Sequence, residues 1–404
     1  MDSSDRIYLK KLCADVPIGQ RERWESLLKA ILSSAKADLH CHLAGSMRPE
    51  TLKHLANSIR DLDWGFCEEG FGRSIAYQIM SGDAERVKQF LEYRKSKGSL
   101  SDYMLAYTLP KTVLATENAL RRVIFEVCED SYCEGIRYLE IRFNPWSLTG
   151  KVKPGDHIKA LATGIDAVTD TYADLEVVLL LSLVKDYDPD LAKRILDEAL
   201  EVNSTSAVHG LIKGVDSAGN EIGFEPSKHA TVFEHAKNAG LSVVCHAGEA
   251  FAALEDGVRL IENALDFLGA RRIGHGLAAG IDAGKLAGSR DLNGKVYDRK
   301  RIHRIAESQN KLRKRLKKED VPVEVCPSSN IHTGNVSSLE EHPMKAFFAD
   351  GVPVVICTDN RWVSHTKLSW EILRVAKVFN IVGPVLEEIL KAPFRYKLEQ
   401  LKKK

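Results

Sequence analysis

The feature that most constrains the fold is a regular alternation of short apolar runs with longer segments of helical periodicity. The apolar runs are rich in β-branched residues and are bounded by Gly, Pro or polar turns, a pattern that indicates β-strands. We predict strands near 37–43, 136–143, 175–183, 210–216, 241–246, 272–275, 321–326 and 352–358. Helices are predicted between them at 115–134, 190–202, 227–239 and 254–268. This order is typical of repeated βαβ units.

The strand sequences VVLLLSL, LSVVCHAG and GVPVVICTD are almost continuously apolar, as expected of parallel strands covered by helices on both faces. Eight such units close a single (β/α)8 barrel, an α/β fold of the TIM type. A doubly wound open sheet is the main alternative, because strand order cannot be read from sequence. We predict one domain over residues 1–404, with the barrel at about 36–363, an N-terminal extension at 1–35 and C-terminal helices at 364–404.

Two segments are longer than a minimal barrel requires. The segment between the first two strands predicts a helical insertion, centred on residues 58–110. After the sixth strand, 278–320 contains a strongly basic run, for which we predict a helix at 295–318. Its apolar residues form one narrow stripe, which favours a helix with a solvated basic face over a binding site for an anionic ligand or partner.

Composition narrows the class of protein. The chain is 44% hydrophobic and 28% charged, which suits a globular fold with a sizeable core. Its 57 Lys and Arg nearly balance its 56 Asp and Glu, so the charge argues against a general affinity for nucleic acid or membranes. The sequence is compatible with a homo-oligomer.

Location and thiol chemistry follow from the same sequence. The N-terminus lacks a secretory apolar run and no stretch has the ~18 apolar residues of a spanning helix, so we expect a cytoplasmic protein. The eight Cys include no C-x-x-C pair and are interpreted as reduced, mostly buried thiols.

The strongest local signal is the H-x-H pair at the end of the first predicted strand. Side chains alternate across a strand, so His40 and His42 share one face and Cys41 faces the other way. An H-x-H pair alone is as often structural as functional. It becomes informative only when partners occur elsewhere.

Such partners follow three later strands, where His246, His275 and Asp359 stand at the end of an apolar run. Barrel enzymes assemble their sites at the carboxyl ends of the strands, so these side chains should meet at one mouth. Imidazoles with a carboxylate suit a divalent ion, with zinc the leading choice, and an open position for water marks a catalytic site. We therefore predict one zinc ion per chain and a hydrolytic reaction.

The same rim offers groups for proton transfer and binding. Glu249, three residues after His246, is a candidate proton donor, with a helix-terminal carboxylate as the alternative. His275 is open to two interpretations, a fourth imidazole ligand or a base near the attacking water. Gly219, in VDSAGNE, would let a ligand approach the backbone, although a simple tight turn explains it equally well. The motif CPSSNIHTG offers hydroxyls and an amide, but these are ordinary turn residues.

Taken together, five motifs resemble the adenosine deaminase family within the amidohydrolase barrels. They are HCHLAGS at 40–46, HAGE at 246–249, GHG at 274–276, CPSSN at 326–330 and TDN at 358–360. The resemblance covers about residues 37–363. It implies zinc ligands at His40, His42, His246 and Asp359.

The same resemblance implies how the reaction would proceed. Glu249 would protonate a purine ring nitrogen as hydroxide attacks C6, and ammonia would leave. His275 would orient or deprotonate the zinc-bound water. The Gly219 amide would contact the purine.

The sequence departs from the family pattern at two positions. The usual motif is H-x-H-L-D-G, whose carboxylate accepts the ribose 5′-hydroxyl, whereas this chain has Ala44. Loss of a charge-assisted hydrogen bond would cost ~1.5 to 3 kcal/mol, and loss of the anion removes repulsion towards a 5′-phosphate. The usual Asp-Asp pair is Asp359 with Asn360 here, whose amide can still meet purine N7.

We therefore predict a small-molecule substrate, an adenine compound with a modified or phosphorylated 5′ position. Adenosine or deoxyadenosine is the alternative. Lys185, Arg361 and the basic 295–318 helix are candidate phosphate partners. A different amidohydrolase reaction is disfavoured because it would not need Glu249. A non-enzymatic scaffold is disfavoured because all four metal ligands are intact.

Overall fold

Eight parallel strands pair in sequence order in the computed structural model, which describes residues 1–93, 100–147 and 152–401. They are β1 Lys36–His42, β2 Ile136–Phe143, β3 Glu176–Val184, β4 Ile212–Ala218, β5 Ser242–Ala247, β6 Ile273–His275, β7 Val323–Val325 and β8 Val354–Ile356. The last strand returns to the first, because the His42 backbone N–H donates to the Asp359 carbonyl at 2.7 Å and the Asp359 N–H donates to the His40 carbonyl at 2.8 Å. The predicted barrel is confirmed.

The predicted strands are all present, but three of their boundaries were wrong. β4 begins two residues late, because His209 and Gly210 adopt left-handed φ values of 52° and 69°. β7 and β8 contain three residues each rather than six and seven. Pro322 and Pro353 precede them, and a proline has no N–H to donate to a neighbouring strand.

Helices fill the segments between the strands and both ends of the described chain. They are α1 Ser3–Leu12, α2 Ile18–Ser33, α3 Pro49–Ser58, α4 Gly65–Phe71, α5 Ile75–Ser81, α6 Ala84–Leu91, α7 Leu100–Val113, α8 Glu117–Cys133, α9 Pro154–Thr171, α10 Pro189–Asn203, α11 Ala230–Asn238, α12 Leu254–Asn263, α13 Arg299–Lys318, α14 Pro327–His332, α15 Met344–Asp350, α16 Leu368–Val378, α17 Pro384–Arg395 and α18 Leu398–Leu401. The four predicted helices correspond to α8, α10, α11 and α12, and α12 continues as a π-helical turn over Ala264–Leu268.

The insertion after β1 contains α3 to α7, and its residues 94–99 lie outside the described part of the chain. The basic helix α13 was predicted to begin at 295 but begins at Arg299. The Asp298 side chain caps it by accepting from the Arg301 N–H at 2.7 Å. The residues before Asp298 form a small turn instead, in which Arg290 and Val296 make an antiparallel bridge.

The core has two layers. Outside the barrel, helices cover the outward-facing strand residues in one large apolar cluster. Inside it, Ala37, Leu39 and Tyr138 belong to a smaller cluster that the C-terminal residues Leu398 and Leu401 close from below. Seven of the eight free cysteines are buried, as predicted. Among the described helices, none has both the length and the apolar character needed to cross a bilayer. The division into a barrel and two helical ends within one domain stays a prediction.

Candidate active site

Four of the predicted residues meet at the carboxyl ends of β1, β5 and β8. His40 and His42 are at the end of β1, His246 is near the end of β5, and Asp359 follows β8. His40 is fully buried, and its Nε2 makes no hydrogen bond of ordinary geometry in the described structure. The ligand atoms of His40, His42 and His246 lie within 4.8 Å of one another, and so do those of His40, His275 and Asp359, so His40 belongs to both groups.

The spacing of these atoms provides a test of metal fit. Two atoms bound tetrahedrally to one zinc ion at ~2.0–2.1 Å lie about 3.3 to 3.4 Å apart. His42 Nε2 lies 3.3 Å from His246 Nε2 and 3.4 Å from Asp359 Oδ1. His40 Nε2 lies 3.5 Å from the same carboxylate oxygen. These three separations are those expected of neighbouring ligands on one ion of zinc size.

Buried carboxylates hold the opposite nitrogens of two of these imidazoles. Glu324 Oε2 accepts from His40 Nδ1 at 2.8 Å, and Asp216 accepts from His246 Nδ1 at 3.0 Å. With the proton on Nδ1, each Nε2 keeps its lone pair for a metal. Burial alone would raise the pKa of both carboxyls. Nearby positive groups outweigh it: His246 and Arg142 bring the pKa of Asp216 well below normal. Arg142 and Arg272 do the same for the pKa of Glu324. They are therefore ionised acceptors.

A chain of hydrogen bonds fixes the proton on His275. The Met344 backbone N–H donates to His342 Nδ1 at 3.0 Å, so the His342 proton is on Nε2 and donates to Asn330 Oδ1 at 3.1 Å. The Asn330 amide N–H must then donate to His275 Nδ1, 2.9 Å away. Burial lowers the pKa of His275 well below its usual value, so the ring is neutral and its one proton is on Nε2. That Nε2–H faces Glu249, whose Oε2 is 3.6 Å away.

Glu249 has the electrostatics of an acid rather than of a surface carboxylate. It is buried, and burial, with Asp359 and Glu221 nearby, raises its pKa from 4.5 to about 8. The side chain therefore carries a proton at neutral pH. The alternative of a helix-terminal carboxylate fails, because α12 begins at Leu254 with Ala253 as its cap.

The turn that carries Glu249 is held by a second buried carboxylate. Glu221, between β4 and α11, accepts from the backbone N–H of Gly248 at 2.8 Å, of Glu249 at 2.9 Å and of Ala250 at 3.2 Å. Three N–H groups that would otherwise lack a partner converge on one carboxylate. Glu221 thus fixes the backbone from which the Glu249 side chain projects.

The site opens into a cavity of about 740 Å3, within the range of small-molecule pockets. Its walls include Gly219 and Asn360, together with five residues described above: His42, His246, Glu249, His275 and Asp359. Gly219 has φ +90°, and a methyl group there would lie 2.7 Å from Val184 Cγ1, so only glycine leaves this backbone open to a ligand. The residues His275 and Asp359 also have left-handed φ values of 63° and 62°. Such strain is typical of functional sites.

Ala44 lies beside the cavity rather than on its wall, in a short helical turn after β1. Two of the predicted phosphate partners, Arg361 and Lys185, are not placed to bind a phosphate in the cavity. Arg361 is buried against Glu134 and donates to Ser131 Oγ at 2.5 Å, while the buried Lys185 does not line the cavity. On α13, Arg301, Arg313 and Arg315 are engaged by carboxylates.

Sequence reasoning missed the residues that support the site. Asp216 and Glu324 interrupt apolar strands with a carboxylate on the inward face, a signal that was available. The motif VDSAGNE contains Glu221, and CPSSNIHTG contains Ser329 and Asn330, but their residue types are also those of ordinary turns. Ser329 donates to Asp359 Oδ2 at 2.5 Å, which leaves Oδ1 facing the imidazoles.

The chain matches known proteins over most of its length. Residues 35–383 match a family model described as adenosine deaminase. An adenosine deaminase of Vibrio vulnificus (strain YJ016) is 31% identical over 349 residues, which cover 86% of this chain and 88% of that relative.

Solved structures share the fold. An N6-methyl-AMP deaminase from Arabidopsis thaliana has a TM-score of 0.67 at 23% identity, over 93% of this chain and 96% of that one. An amidohydrolase from Burkholderia ambifaria with bound Zn has a TM-score of 0.68 at 18% identity, over 93% and 92%.

Proposed function

Because the chain belongs to the adenosine deaminase family, we propose that it is a zinc-dependent hydrolase that replaces the 6-amino group of an adenine compound with a 6-oxo group. Water supplies the oxygen, and ammonia leaves. The observation that carries the proposal is Glu249, a buried carboxylic acid with a pKa near 8 beside four converging ligand atoms. Amide or phosphoester cleavage would not need that acid.

We propose His40, His42, His246 and Asp359 as the ligands of one zinc ion per chain. Three short separations between their ligand atoms support this, as do the carboxylates behind His40 and His246. Zinc in such a site supplies an activated water as nucleophile at neutral pH. The amidohydrolase from Burkholderia ambifaria, which shares the fold, was solved with bound Zn.

Two residues would move or hold protons. Glu249, protonated at neutral pH, donates its proton to the purine N1 as the water oxygen bonds to C6. Of the two water protons, one returns to Glu249 and the other goes to the amine, which leaves as ammonia. His275 Nε2–H donates a hydrogen bond to the attacking oxygen and orients it. The Asn330 contact at Nδ1 supports this role over metal ligation or deprotonation, because His275 has no free lone pair on Nε2.

Two more residues would bind the base. The Gly219 backbone is free of steric cover on the cavity side and can approach the purine edge. Asn360 lines the cavity, and its side-chain amide N–H is the group that would donate to purine N7, which is an acceptor. Gly45 makes room for that amide, since a side chain there would overlap Asn360.

We propose that the preferred substrate has a modified 5′ position, with a 5′-phosphate favoured, because Ala44 cannot accept a hydrogen bond from a ribose 5′-hydroxyl. The Arabidopsis neighbour that shares this fold is an N6-methyl-AMP deaminase. Adenosine or deoxyadenosine is the second candidate, favoured by relatives at about 30% identity that are adenosine deaminases.

A substrate panel tests both parts. The purified, zinc-loaded protein is assayed with adenosine, deoxyadenosine, AMP, dAMP, ATP and methylthioadenosine, by the loss of 6-aminopurine absorbance and by coupled detection of ammonia. We expect AMP or another 5′-modified compound to have the highest kcat/KM. Adenosine turning over much faster than every 5′-modified compound would refute the preference. Absence of ammonia from all six would refute the reaction.

Glu249→Gln separates the chemistry from the metal site. The amide keeps the size of the side chain but has no acidic proton, so we expect bound zinc to be unchanged and turnover to fall by about 100- to 10,000-fold. Near-normal turnover in a zinc-loaded Glu249→Gln protein would refute the acid role.

A further inference from the structure

A small pocket branches from the cavity beside Ala44. It is lined by Ala44, Lys111 and His157 among mostly apolar neighbours, and its volume of about 20 Å3 accommodates roughly one water molecule. Tyr107, Lys111, Phe143 and Asn144 line both this pocket and the main cavity. The two are therefore neighbours that share a wall, and we refer to the smaller one as the Ala44 pocket.

Lys111 is the charged residue of that shared wall. It follows Tyr107 by one turn of α7, and its ammonium lies 4.7 Å from the centre of the Tyr107 ring. Burial lowers its pKa to about 8, and within residues 1–93, 100–147 and 152–401 no carboxylate pairs with it. Lys111 is half-buried, and a partly desolvated cation without an anion is destabilised unless a ligand supplies the opposite charge. The Lys111 ammonium is therefore available to a bound anion.

His157 brings a second nitrogen base to the Ala44 pocket. It lies on α9 and is 2% exposed. Neither ring nitrogen makes a hydrogen bond of ordinary geometry in the described structure, although the Pro145 carbonyl is close enough to favour the protonated ring. Buried imidazoles normally have a partner, so this one has hydrogen-bonding capacity that a ligand or its water can use.

The charge at this end of the cavity is the reverse of what an Asp at position 44 would produce. A carboxylate there would enter the Ala44 pocket, pair with Lys111 and repel an anion. With Ala44, the pocket keeps an unneutralised ammonium and no anion. Since the pocket holds little more than a water, a phosphate would sit at its junction with the main cavity, against Lys111.

On the basis of the proposed function, we propose that the Ala44 pocket and its junction form a subsite for an anionic 5′ group, a phosphate, of an adenine nucleotide. Lys111 binds the phosphate directly as its counter-ion. His157 contacts it through a water in the Ala44 pocket, in the space that an Asp at position 44 would fill. The subsite thereby selects nucleotides over nucleosides.

The test is the ratio of kcat/KM for AMP to kcat/KM for adenosine. For Lys111→Gln we expect this ratio to fall by about 10- to 100-fold, the loss typical of one charge-assisted hydrogen bond, and for Lys111→Arg we expect most of it to be retained. Ala44→Asp should also lower the ratio, because it adds a negative charge to the pocket that Lys111 lines. The matched control is Lys10→Gln, which removes the same charge from an exposed position on α1 and should leave the ratio within about twofold.

Several results would overturn the subsite. One is an unchanged ratio in folded Lys111→Gln, and another is a loss of equal size in Lys10→Gln. A third is methylthioadenosine turning over faster than AMP in the wild-type protein, which would indicate an apolar 5′ pocket. If Lys111→Gln does not fold by circular dichroism, Ala44→Asp decides, and an unchanged ratio there refutes the proposal.

Product binding separates this proposal from the proposed reaction. Calorimetry compares IMP with inosine in the wild-type and Lys111→Gln proteins. Tighter IMP binding that depends on Lys111, without any deamination, leaves the subsite standing and refutes the reaction. Deamination with equal binding of IMP and inosine in both proteins refutes the subsite alone.

Discussion

Replacing Glu221 by Gln tests how the turn that carries Glu249 is held. The carboxylate accepts three backbone N–H bonds, two on Oε1 and one on Oε2. A glutamine has one acceptor oxygen, so at least one buried N–H faces an amide N–H, at a cost of about 1–3 kcal/mol. The other two bonds lose charge assistance, roughly 1 kcal/mol each. We expect the free energy of unfolding to fall by about 3–5 kcal/mol.

The same substitution changes the acid itself. The Glu221 charge contributes to the raised pKa of Glu249, so a neutral Gln lowers that pKa. The fraction of protonated Glu249 at neutral pH decreases, and the alkaline limb of the kcat/KM profile moves to lower pH. A purely structural role for Glu221 would lower stability without moving this limb.

The assay combines thermal unfolding with a pH profile of kcat/KM for the best substrate. Glu225→Gln is the matched control, four residues along the same segment. Glu225 is 42% exposed and pairs with Arg259 at the surface, so its loss should change stability by less than about 1 kcal/mol and leave the profile unchanged. An alkaline limb that stays in place in folded Glu221→Gln, or that moves equally in Glu225→Gln, would refute the reasoning.

Three further predictions concern the acid, the metal and the base. The neutral form of Glu249 is the active one, and its pKa is raised from 4.5 to about 8, so kcat/KM should fall as pH rises through that value. A bound cation favours the carboxylate and would move this fall to a somewhat lower pH. A kcat/KM that keeps rising to pH 10 would contradict this. Asp216→Asn removes the negative charge behind His246 Nδ1 and should weaken zinc binding by about 10- to 100-fold in a chelator competition, whereas unchanged affinity would contradict the role of Asp216. Gly219→Ala forces a side chain onto φ +90° and against Val184, so KM should rise and the free energy of unfolding should fall by about 1–3 kcal/mol; unaltered KM and melting temperature would contradict the predicted close approach.

The barrel and its chemical centre were predictable because periodicity and strand ends are local signals. Apolar runs located all eight strands, and strand alternation placed His40 and His42 on one face. The boundaries of β4, β7 and β8 were less accurate. A turn with left-handed backbone delays the start of β4, and a proline precedes each of β7 and β8, although the apolar pattern continues across all three.

The supporting residues were not predictable by the same route. Glu221 acts on a turn that is 27 residues away in the chain, and the contact depends on the closed barrel. Asn330 fixes the His275 proton only through His342 and Met344, a path that no local pattern encodes. Lys111 lies on a helix of the long insertion, and nothing in the sequence places that helix against Ala44. These relations arise from tertiary packing.

The most direct test of the account is a zinc titration of the metal-stripped protein, read by ammonia release from AMP and adenosine. Three separations between the proposed ligand atoms, of 3.3, 3.4 and 3.5 Å, suit neighbouring ligands on one ion. We therefore predict no turnover without metal and a linear rise to a sharp break at one zinc per chain. Full ammonia release from the stripped protein, or none from either compound at any zinc concentration, would contradict the central claim.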